Sequence, residues 1–216
     1  MKRPFALLLI VVVGCSPRQS TQEAASLGQT EGEHVMLIAV DPSPDFQKQI
    51  GDEFMARVID RYFHDRVGSQ DKLVIARLSG KDQIVWEGTP LALRKQFPTA
   101  EDFHGFLVSK ADPSPRVHEG LRHAMQYVLA DPSVATGKAK VAVLVLSSMI
   151  DQGSGTLEEG YMNHELCELG WRNGAVGFYY VAQDQILPLR LKLQTFGVRN
   201  FRVEGATGQQ PLPTFE

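Results

Sequence analysis

The stretch VMLIAVDPSPD, residues 35–45, decides the fold that this sequence predicts. Its first six residues are largely apolar, too few for a typical helix and too uniformly hydrophobic for a strand with one wet face. They therefore predict a strand buried on both faces. Asp41 follows at the carboxyl end of that strand. Because ligands of open α/β sheets bind outside the carboxyl ends of the strands, Asp41 is the first candidate for a functional residue.

Length and composition fit one globular domain. The chain has 216 residues, of which 43% are hydrophobic and 22% charged, enough to bury a sizeable core. The formal net charge is -3, and the lysines and arginines are scattered along the chain. The sequence has no basic footprint of the kind that nucleic acid requires, so we expect no nucleic-acid partner.

Residues 1–14 have the organisation of an export signal. Lys2 and Arg3 are positively charged, and residues 5–13 are apolar but too few to span a bilayer. The following Val12-Val13-Gly14-Cys15 resembles the lipobox of bacterial lipoproteins, in which the cysteine becomes the lipidated first residue of the mature protein. The alternative is an ordinary secretory signal with an incidental cysteine.

The next segment predicts a link between a lipid and a domain. Residues 15–33 are polar and lack periodicity, so we expect a flexible tether before a domain at 34–204 and a loose tail at 205–216. Ser16 follows the cysteine, and its resemblance to lipoprotein sorting signals implies the outer membrane. The expected location is the bacterial cell envelope, with the domain anchored through Cys15 and facing the periplasm.

Periodicity along the domain predicts alternating strands and helices. Residues 72–78 and 83–87 are β-rich and flank a short Gly-containing turn, which predicts a hairpin and hence one antiparallel strand. Pro90 and Pro98 mark a stretch that we expect to be poor in helix. The other predicted elements are helices at 46–62, 100–110, 117–130, 157–172 and 187–195, and strands at 141–146, 176–181 and 198–203. This order predicts a three-layer α/β/α sandwich with a mostly parallel sheet and one antiparallel edge strand.

The order of elements, the early hairpin and the acidic motif after the first strand resemble a von Willebrand factor type A domain over about residues 33–204. The resemblance implies a Rossmann-like sandwich that binds a partner protein through the loops at the carboxyl edge of its sheet. In that family the first strand ends in Asp-x-Ser-x-Ser. With a threonine from a middle loop and an aspartate after the fourth strand, this motif forms a metal-ion-dependent adhesion site for a hard divalent cation.

The motif is altered in this chain. Asp41, Ser43 and Asp45 occupy its three positions, with aspartate in place of the last serine. The residue closest to the expected threonine is Ser114, and Ser147-Ser148-Met149 replaces Thr-Asp-Gly, with Asp151 two residues further on. The metal ligands implied by the resemblance, for Mg²⁺ or another divalent cation, are Asp41, Ser43, Asp45, Ser114 and Asp151. The implied partner-binding residues are Asp41, Ser43, Asp45, Ser147 and Ser148.

Helix capping offers an explanation without a cation. The sequence Asp-Pro-Ser-Pro occurs at 41–44 and again at 112–115, each time before a predicted helix. Serine is a favoured N-cap, and proline is favoured in the first helical turn. Capping therefore accounts for Ser43 and Ser114 without a bound ion.

Enzyme functions are the remaining alternative. Asp41 and Cys167 resemble a pair found in isochorismatase-like cysteine hydrolases, but Cys167 lies within a predicted helix and not at its amino terminus, so we expect a buried structural cysteine. A phosphotransferase of the haloacid dehalogenase type requires a second aspartate where Ser43 stands. The histidines, including His118 and His123, are expected at solvated helix positions. The sequence thus predicts a lipid-anchored protein-interaction module, with an envelope hydrolase or phosphotransferase-like enzyme using Asp41 as the alternative.

Overall fold

The computed structural model describes residues 34–43, 46, 70–78, 83–108, 116–151 and 162–205. The signal, Cys15, the tether, Asp45, Ser114 and all but residue 46 of the predicted helix at 46–62 lie outside the described residues. So does the tail beyond Gly205. Among the helices of the described residues, none has the length and apolar character needed to cross a bilayer.

Six strands form one sheet. They are β1 (His34–Val40), β2 (Lys72–Arg77), β3 (Ile84–Gly88), β4 (Lys140–Leu146), β5 (Ala175–Tyr179) and β6 (Asn200–Val203). Their order is β3-β2-β1-β4-β5-β6, and only β3, at one edge, is antiparallel to its neighbour. The predicted sheet, including its antiparallel edge strand, is confirmed. All residues of β1 after His34 are buried, as expected of a central strand covered on both faces.

Helices cover both faces of the sheet. They are α1 (Pro90–Gln96), α2 (Ala100–Val108), α3 (Val117–Leu129), α4 (Pro132–Ala135), α5 (Asn163–Trp171) and α6 (Gln183–Thr195). Successive side chains of a strand point to opposite faces. In β1, Leu37 belongs to the apolar cluster that contains α3, α5 and α6, whereas Ile38 belongs to the cluster that contains α1 and α2. The predicted α/β sandwich is therefore confirmed, with one core on each side of the sheet.

One predicted loop is a helix. The stretch after Pro90 forms α1, so the expectation of a helix-poor segment is wrong. Pro90 is the first residue of α1, where a missing N–H breaks no intrahelical hydrogen bond. The hydroxyl of Thr89 accepts a hydrogen bond from the backbone N–H of Ala92 at 3.3 Å and caps the helix.

Several other boundaries shift by a few residues. The strand β5 ends at Tyr179, because Tyr180 has a φ of 67° and leaves the extended conformation. The strand β6 begins at Asn200, because the N–H of Val198 still donates to Leu193 at the end of α6. The helix α6 begins at Gln183, four residues before the predicted start.

Candidate functional site at the carboxyl edge of the sheet

Asp41 lies where the sequence predicts it, directly after β1 at the carboxyl edge of the sheet. Only 2% of the residue is exposed. Its backbone N–H donates to the carbonyl oxygen of Leu146 at 2.9 Å, which continues the ladder between β1 and β4 by one residue. The backbone of the two strands therefore fixes Asp41 beside the first residues of the loop after β4.

The carboxylate of Asp41 joins the loops that follow β1 and β4. Its Oδ1 accepts a hydrogen bond from the backbone N–H of Ser43 at 2.9 Å, and its Oδ2 accepts one from the hydroxyl of Ser147 at 3.3 Å. The Ser147 hydroxyl in turn accepts from the N–H of Met149 at 3.0 Å. We use the name rim for residues 41–43 and 147–151, the two loops that this carboxylate connects.

The electrostatics of Asp41 are dominated by its burial. Removal from water raises the pKa of the carboxyl group above 3.8, and the hydrogen bonds from Ser43 and Ser147 only partly offset that effect. The negative charge of Asp151 raises the pKa further. A buried carboxyl group with a raised pKa at a strand end is a feature of functional sites.

The hydroxyl of Ser43 makes a local contact within the chain. Its oxygen accepts a hydrogen bond from the backbone N–H of Phe46 at 3.4 Å, three residues later. This is the contact that an N-cap residue makes with the first turn of a helix. The helix predicted after Ser43 lies outside the described residues except for residue 46, so the capping role of Ser43 stays a prediction, and Asp45 and Ser114 lie outside the described residues as well.

Asp151 faces the start of α3. Its Oδ1 accepts a hydrogen bond from the backbone N–H of Val117 at 2.6 Å, and its Oδ2 lies 3.4 Å from Nδ1 of His118. The Nε2 atom of His118 lies 3.1 Å from the carbonyl oxygen of Met149 and donates to it, because a carbonyl can only accept. Asp151 thus caps α3 from another part of the chain and fastens the rim to that helix.

His118 is the rim contact that the sequence reasoning missed. The prediction of a solvated position for His118 is wrong, because the residue is buried. A usable signal exists in the sequence: His118 precedes Leu121 by three residues and Met125 by seven, so it lies on the apolar face of α3.

Three of the four non-glycine residues with positive φ in the described part of the chain lie near this edge of the sheet, and the fourth, Asn173, lies just before β5 at the opposite end of the strands. Met149, Met162 and Tyr180 have φ values of 60°, 56° and 67°, in the left-handed region that favours glycine. Such a conformation costs on the order of 1–3 kcal/mol at a residue other than glycine, and it is retained mainly at functional sites. Met149 follows β4 and Tyr180 follows β5, so two adjacent strands both end in a strained turn.

The reachable part of the rim is small. Ser43 and Ser147 are buried like Asp41, whereas Ser148 is partly exposed and Ile150 is exposed. The Ser148 hydroxyl accepts from the N–H of Ile150 at 3.4 Å. A molecule approaching this edge would therefore meet Ser148 and Ile150 before the buried groups beneath them.

The described residues do not by themselves fit a divalent cation. Magnesium is coordinated octahedrally by oxygen, usually by one or two protein carboxylates with water at other positions, so a site needs carboxylate oxygens that are free to face the ion. Both oxygens of Asp41 accept hydrogen bonds from the rim, and those of Asp151 are directed at α3. In the part of the chain that the structure describes, no three His, Cys, Asp or Glu residues are grouped so that they could hold a metal ion.

Cys167 offers no support for a cysteine hydrolase. It is exposed on α5, so the prediction of a buried structural cysteine is wrong. It is the fifth residue of that helix, beyond the first-turn N–H groups that would stabilise a thiolate.

No model of a known protein family matches this chain. A comparison with curated proteins finds no similar sequence.

Proposed function

We propose that this protein is a lipid-anchored module of the bacterial cell envelope that binds another protein through the rim. The proposal includes a lipid on Cys15 and a domain of the von Willebrand factor type A class. The observation that carries it is the carboxylate of Asp41, which ties together the loops after two central strands. An arrangement that fixes two loops at the carboxyl edge of a sheet is suited to presenting a rigid binding surface.

Two further features support the resemblance to that domain class. The sheet has its antiparallel strand at one edge, next to β2, as the early hairpin predicts. Met149 stands where the family has the glycine of Thr-Asp-Gly, and its φ of 60° is a conformation that glycine adopts readily.

The burial pattern suggests separate roles for the rim residues. Asp41, Ser43 and Ser147 hold the loops in position from below, whereas Ser148 and Ile150 are available to touch the partner. In this proposal a divalent cation is not required, because hydrogen bonds within the chain already engage the carboxylates of Asp41 and Asp151.

Site-specific crosslinking in living cells tests the proposal. A photoreactive amino acid replaces Ile150 in the full-length protein, and crosslinked products of higher mass are compared with those of a second protein carrying it at exposed Leu91 on α1. We expect a discrete product from position 150 only. Adding Asp41→Ala, which deletes both carboxylate contacts, should remove the product, whereas Asp41→Asn, which retains an acceptor for Ser43, should preserve it.

A matched control distinguishes a specific effect at the rim from a general loss of folding. Asp71 is also a buried aspartate, but it precedes β2, at the amino ends of the parallel strands. Its Oδ1 lies 3.1 Å from Nδ1 of His34. Asp71→Ala should leave the crosslink at position 150 intact. If Asp41→Ala folds, as judged by circular dichroism, and still gives the same crosslinked product, the rim is not the binding site.

The raised pKa of Asp41 favours a second candidate, a hydrolase or phosphotransferase-like enzyme that uses this carboxyl group. The two candidates differ in their response to Asp41→Asn. Turnover of generic phosphoester or amide substrates, with or without Mg²⁺, that disappears in Asp41→Asn would favour the enzyme. A binding module should show no turnover in either protein.

A further inference from the structure

The helices α5 and α6 leave three large apolar side chains in solvent. Trp171 is 78% exposed, Leu187 64% and Leu191 54%, the highest values among the large apolar residues that the structure describes. Single exposed apolar residues are ordinary on protein surfaces. A group of them usually marks a surface that another molecule covers.

Two of the three residues share one face of α6, and the third ends the neighbouring helix α5. Leu187 and Leu191 are four residues apart and share the outer face of α6, opposite buried Leu189. At the end of α5, a Cβ atom on Gly170 would lie 2.5 Å from the carbonyl oxygen of Phe196, so this glycine lets the end of α5 pack against the end of α6. Trp171 directly follows it. We call Trp171, Leu187 and Leu191 the α6 surface.

Basic residues outnumber acidic ones along α6 and β6. Residues 183–204 contain four basic and two acidic residues, although the chain as a whole has a net charge of -3. Arg190 and Lys192 flank Leu191 in the sequence of α6, and the guanidinium of Arg190 also donates to the carbonyl oxygen of Val203 at 2.8 Å. The guanidinium carbon of Arg172 lies 5.5 Å from the ring centre of Trp171, but this group is bound to Glu168 and to the carbonyl oxygen of Val134, so it is not among the basic groups available to a ligand. Leucine and tryptophan with basic neighbours are typical of surfaces that lie at the interface of an anionic membrane.

The predicted tether also favours a membrane as the ligand of this surface. The strands β1 and β5 run parallel, so His34, where the tether ends, lies at the same edge of the sheet as Ala175. Trp171 ends the helix that leads into β5 and is close to that edge. The residues between Cys15 and His34 span at most roughly 60 Å when fully extended, which keeps the domain close to an anchored lipid.

We propose that the α6 surface rests on an anionic phospholipid bilayer. Trp171, Leu187 and Leu191 enter the headgroup region, and the basic residues lie near the lipid phosphates. The inference rests on the lipid anchor of the proposed function but not on partner binding at the rim. Because α6 leads back from the carboxyl end of β5 to the amino end of β6, a domain lying on this helix presents the rim sideways, along the membrane.

Tryptophan fluorescence tests this placement. The chain has two tryptophans, so Trp86→Phe in the full-length, lipidated protein leaves Trp171 as the only reporter. The protein is reconstituted in vesicles of phosphatidylethanolamine and phosphatidylglycerol, with or without bromine on the acyl chains. We expect a blue shift of the emission and quenching by the brominated lipids.

Paired variants identify the surface responsible. The double substitution Leu187→Ser and Leu191→Ser should remove most of the quenching. The matched control Leu91→Ser changes a leucine that is 42% exposed on α1, in the other helical layer, and should retain it. Replacing phosphatidylglycerol by phosphatidylcholine should weaken the quenching, because the basic residues then lose their anionic partners.

Three outcomes would overturn the inference. An unshifted and unquenched Trp171 would show that the surface does not touch lipid. Quenching that survives the double leucine substitution would show that the tether alone brings the tryptophan to the bilayer. A blue shift without vesicles that grows with protein concentration would identify a second copy of this chain as the occupant. The crosslink at Ile150, measured in the same variants, reports separately whether the rim still binds.

Discussion

At the scale of single residues, the ionisation of Asp41 should decide how stability changes with pH at the rim. Burial raises the pKa of this carboxyl group above its value of 3.8 in an unfolded chain. As the pH rises from 3.8 through the folded pKa, the native protein therefore holds a proton that the unfolded chain has lost, and stability falls. Above that window, the cost of a charged Asp41 is fully present.

Asp41→Asn removes this dependence. The amide never ionises, but its oxygen can still accept from the N–H of Ser43. We expect the unfolding free energy of the variant, relative to the natural protein, to increase from about pH 3 to pH 7. Urea denaturation at several pH values measures the difference. The exposed Asp184→Asn serves as the control, and a difference that is flat with pH, or that falls, would contradict the role given to Asp41.

The cap on α3 gives a second prediction at this scale. Asp151→Ala removes the acceptor of the Val117 N–H and the carboxylate beside His118. Loss of an N-cap typically costs about 0.5–2 kcal/mol, and we expect Asp151→Ala to lose stability in that range. Asp184 lies in the first turn of α6 but does not accept from its backbone in the described contacts, so Asp184→Ala should change stability by less than about 0.5 kcal/mol.

At the scale of elements, a glycine sets the distance between α3 and the sheet. A Cβ on Gly120 would lie 2.8 Å from the backbone Cα and carbonyl carbon of Leu78, which cannot move aside as a flexible side chain would. Overpacking of this kind costs roughly 1–3 kcal/mol, more than the gain in helix propensity from alanine. We expect Gly120→Ala to be destabilised in denaturant titrations.

A second helical glycine provides the matched comparison. Gly105 lies within α2, and a Cβ there would meet nothing within 4 Å. Gly105→Ala should therefore show only the propensity effect and gain roughly 0.5–1 kcal/mol. Opposite signs for the two substitutions would support the packing of α3 against the strand end. Equal signs would contradict it.

An ion cluster fastens the edge strand to the helices. Lys72 of β2 lies 2.8 Å from both Glu87 of β3 and Asp131, the residue that caps α4. Burial acts to raise the pKa of Asp131, but hydrogen bonds from Lys72 and Ser133 outweigh it and lower the pKa below 3.8. A lowered carboxyl pKa contributes stability above 3.8 that is lost as the pH falls through the folded value.

Lys72→Met should weaken this dependence on acid. Without the ammonium group, protonation of Asp131 breaks a weaker set of interactions. The unfolding free energy should therefore fall less steeply below about pH 4 than in the natural protein. Lys95→Met, on the exposed side of α1, is the control. Denaturation curves at low ionic strength measure the effect, and identical acid profiles for the natural protein and Lys72→Met would contradict it.

The sequence predicted some elements well for a physical reason. The strands β1 and β4 are buried on both faces, so they read as continuous apolar runs that no surface element resembles. The sequence does not predict α1 because proline disfavours helix interiors, although Thr89 and Pro90 together are a helix start. The contact of Asp151 with Val117 joins residues 34 positions apart, and no local pattern encodes it.

At the scale of the whole molecule, the order of strands explains why the sequence predicts the position of the candidate site but not the hydrogen bonds within it. A parallel strand flanked by parallel neighbours brings its carboxyl end beside theirs, so Asp41 and the loop after β4 had to meet. The order of strands does not determine which oxygen faces which donor. That Asp151 points to α3 depends on the path of the loop after β4, which topology leaves open.

A titration with divalent ions tests whether the rim of the intact protein binds a cation. A cation that binds only the folded state must raise stability, by about 2.7 kcal/mol at a concentration one hundred times its dissociation constant. Because the carboxylates of Asp41 and Asp151 are already engaged within the chain, we expect the Tm to stay the same in Mg²⁺, Mn²⁺ or a chelator. A Tm that rises with Mg²⁺ and ceases to rise in Asp41→Asn would instead restore the adhesion-site cation, with Asp45 and Ser114 as its further ligands. A rise that persists in Asp41→Asn would place the ion elsewhere on the protein.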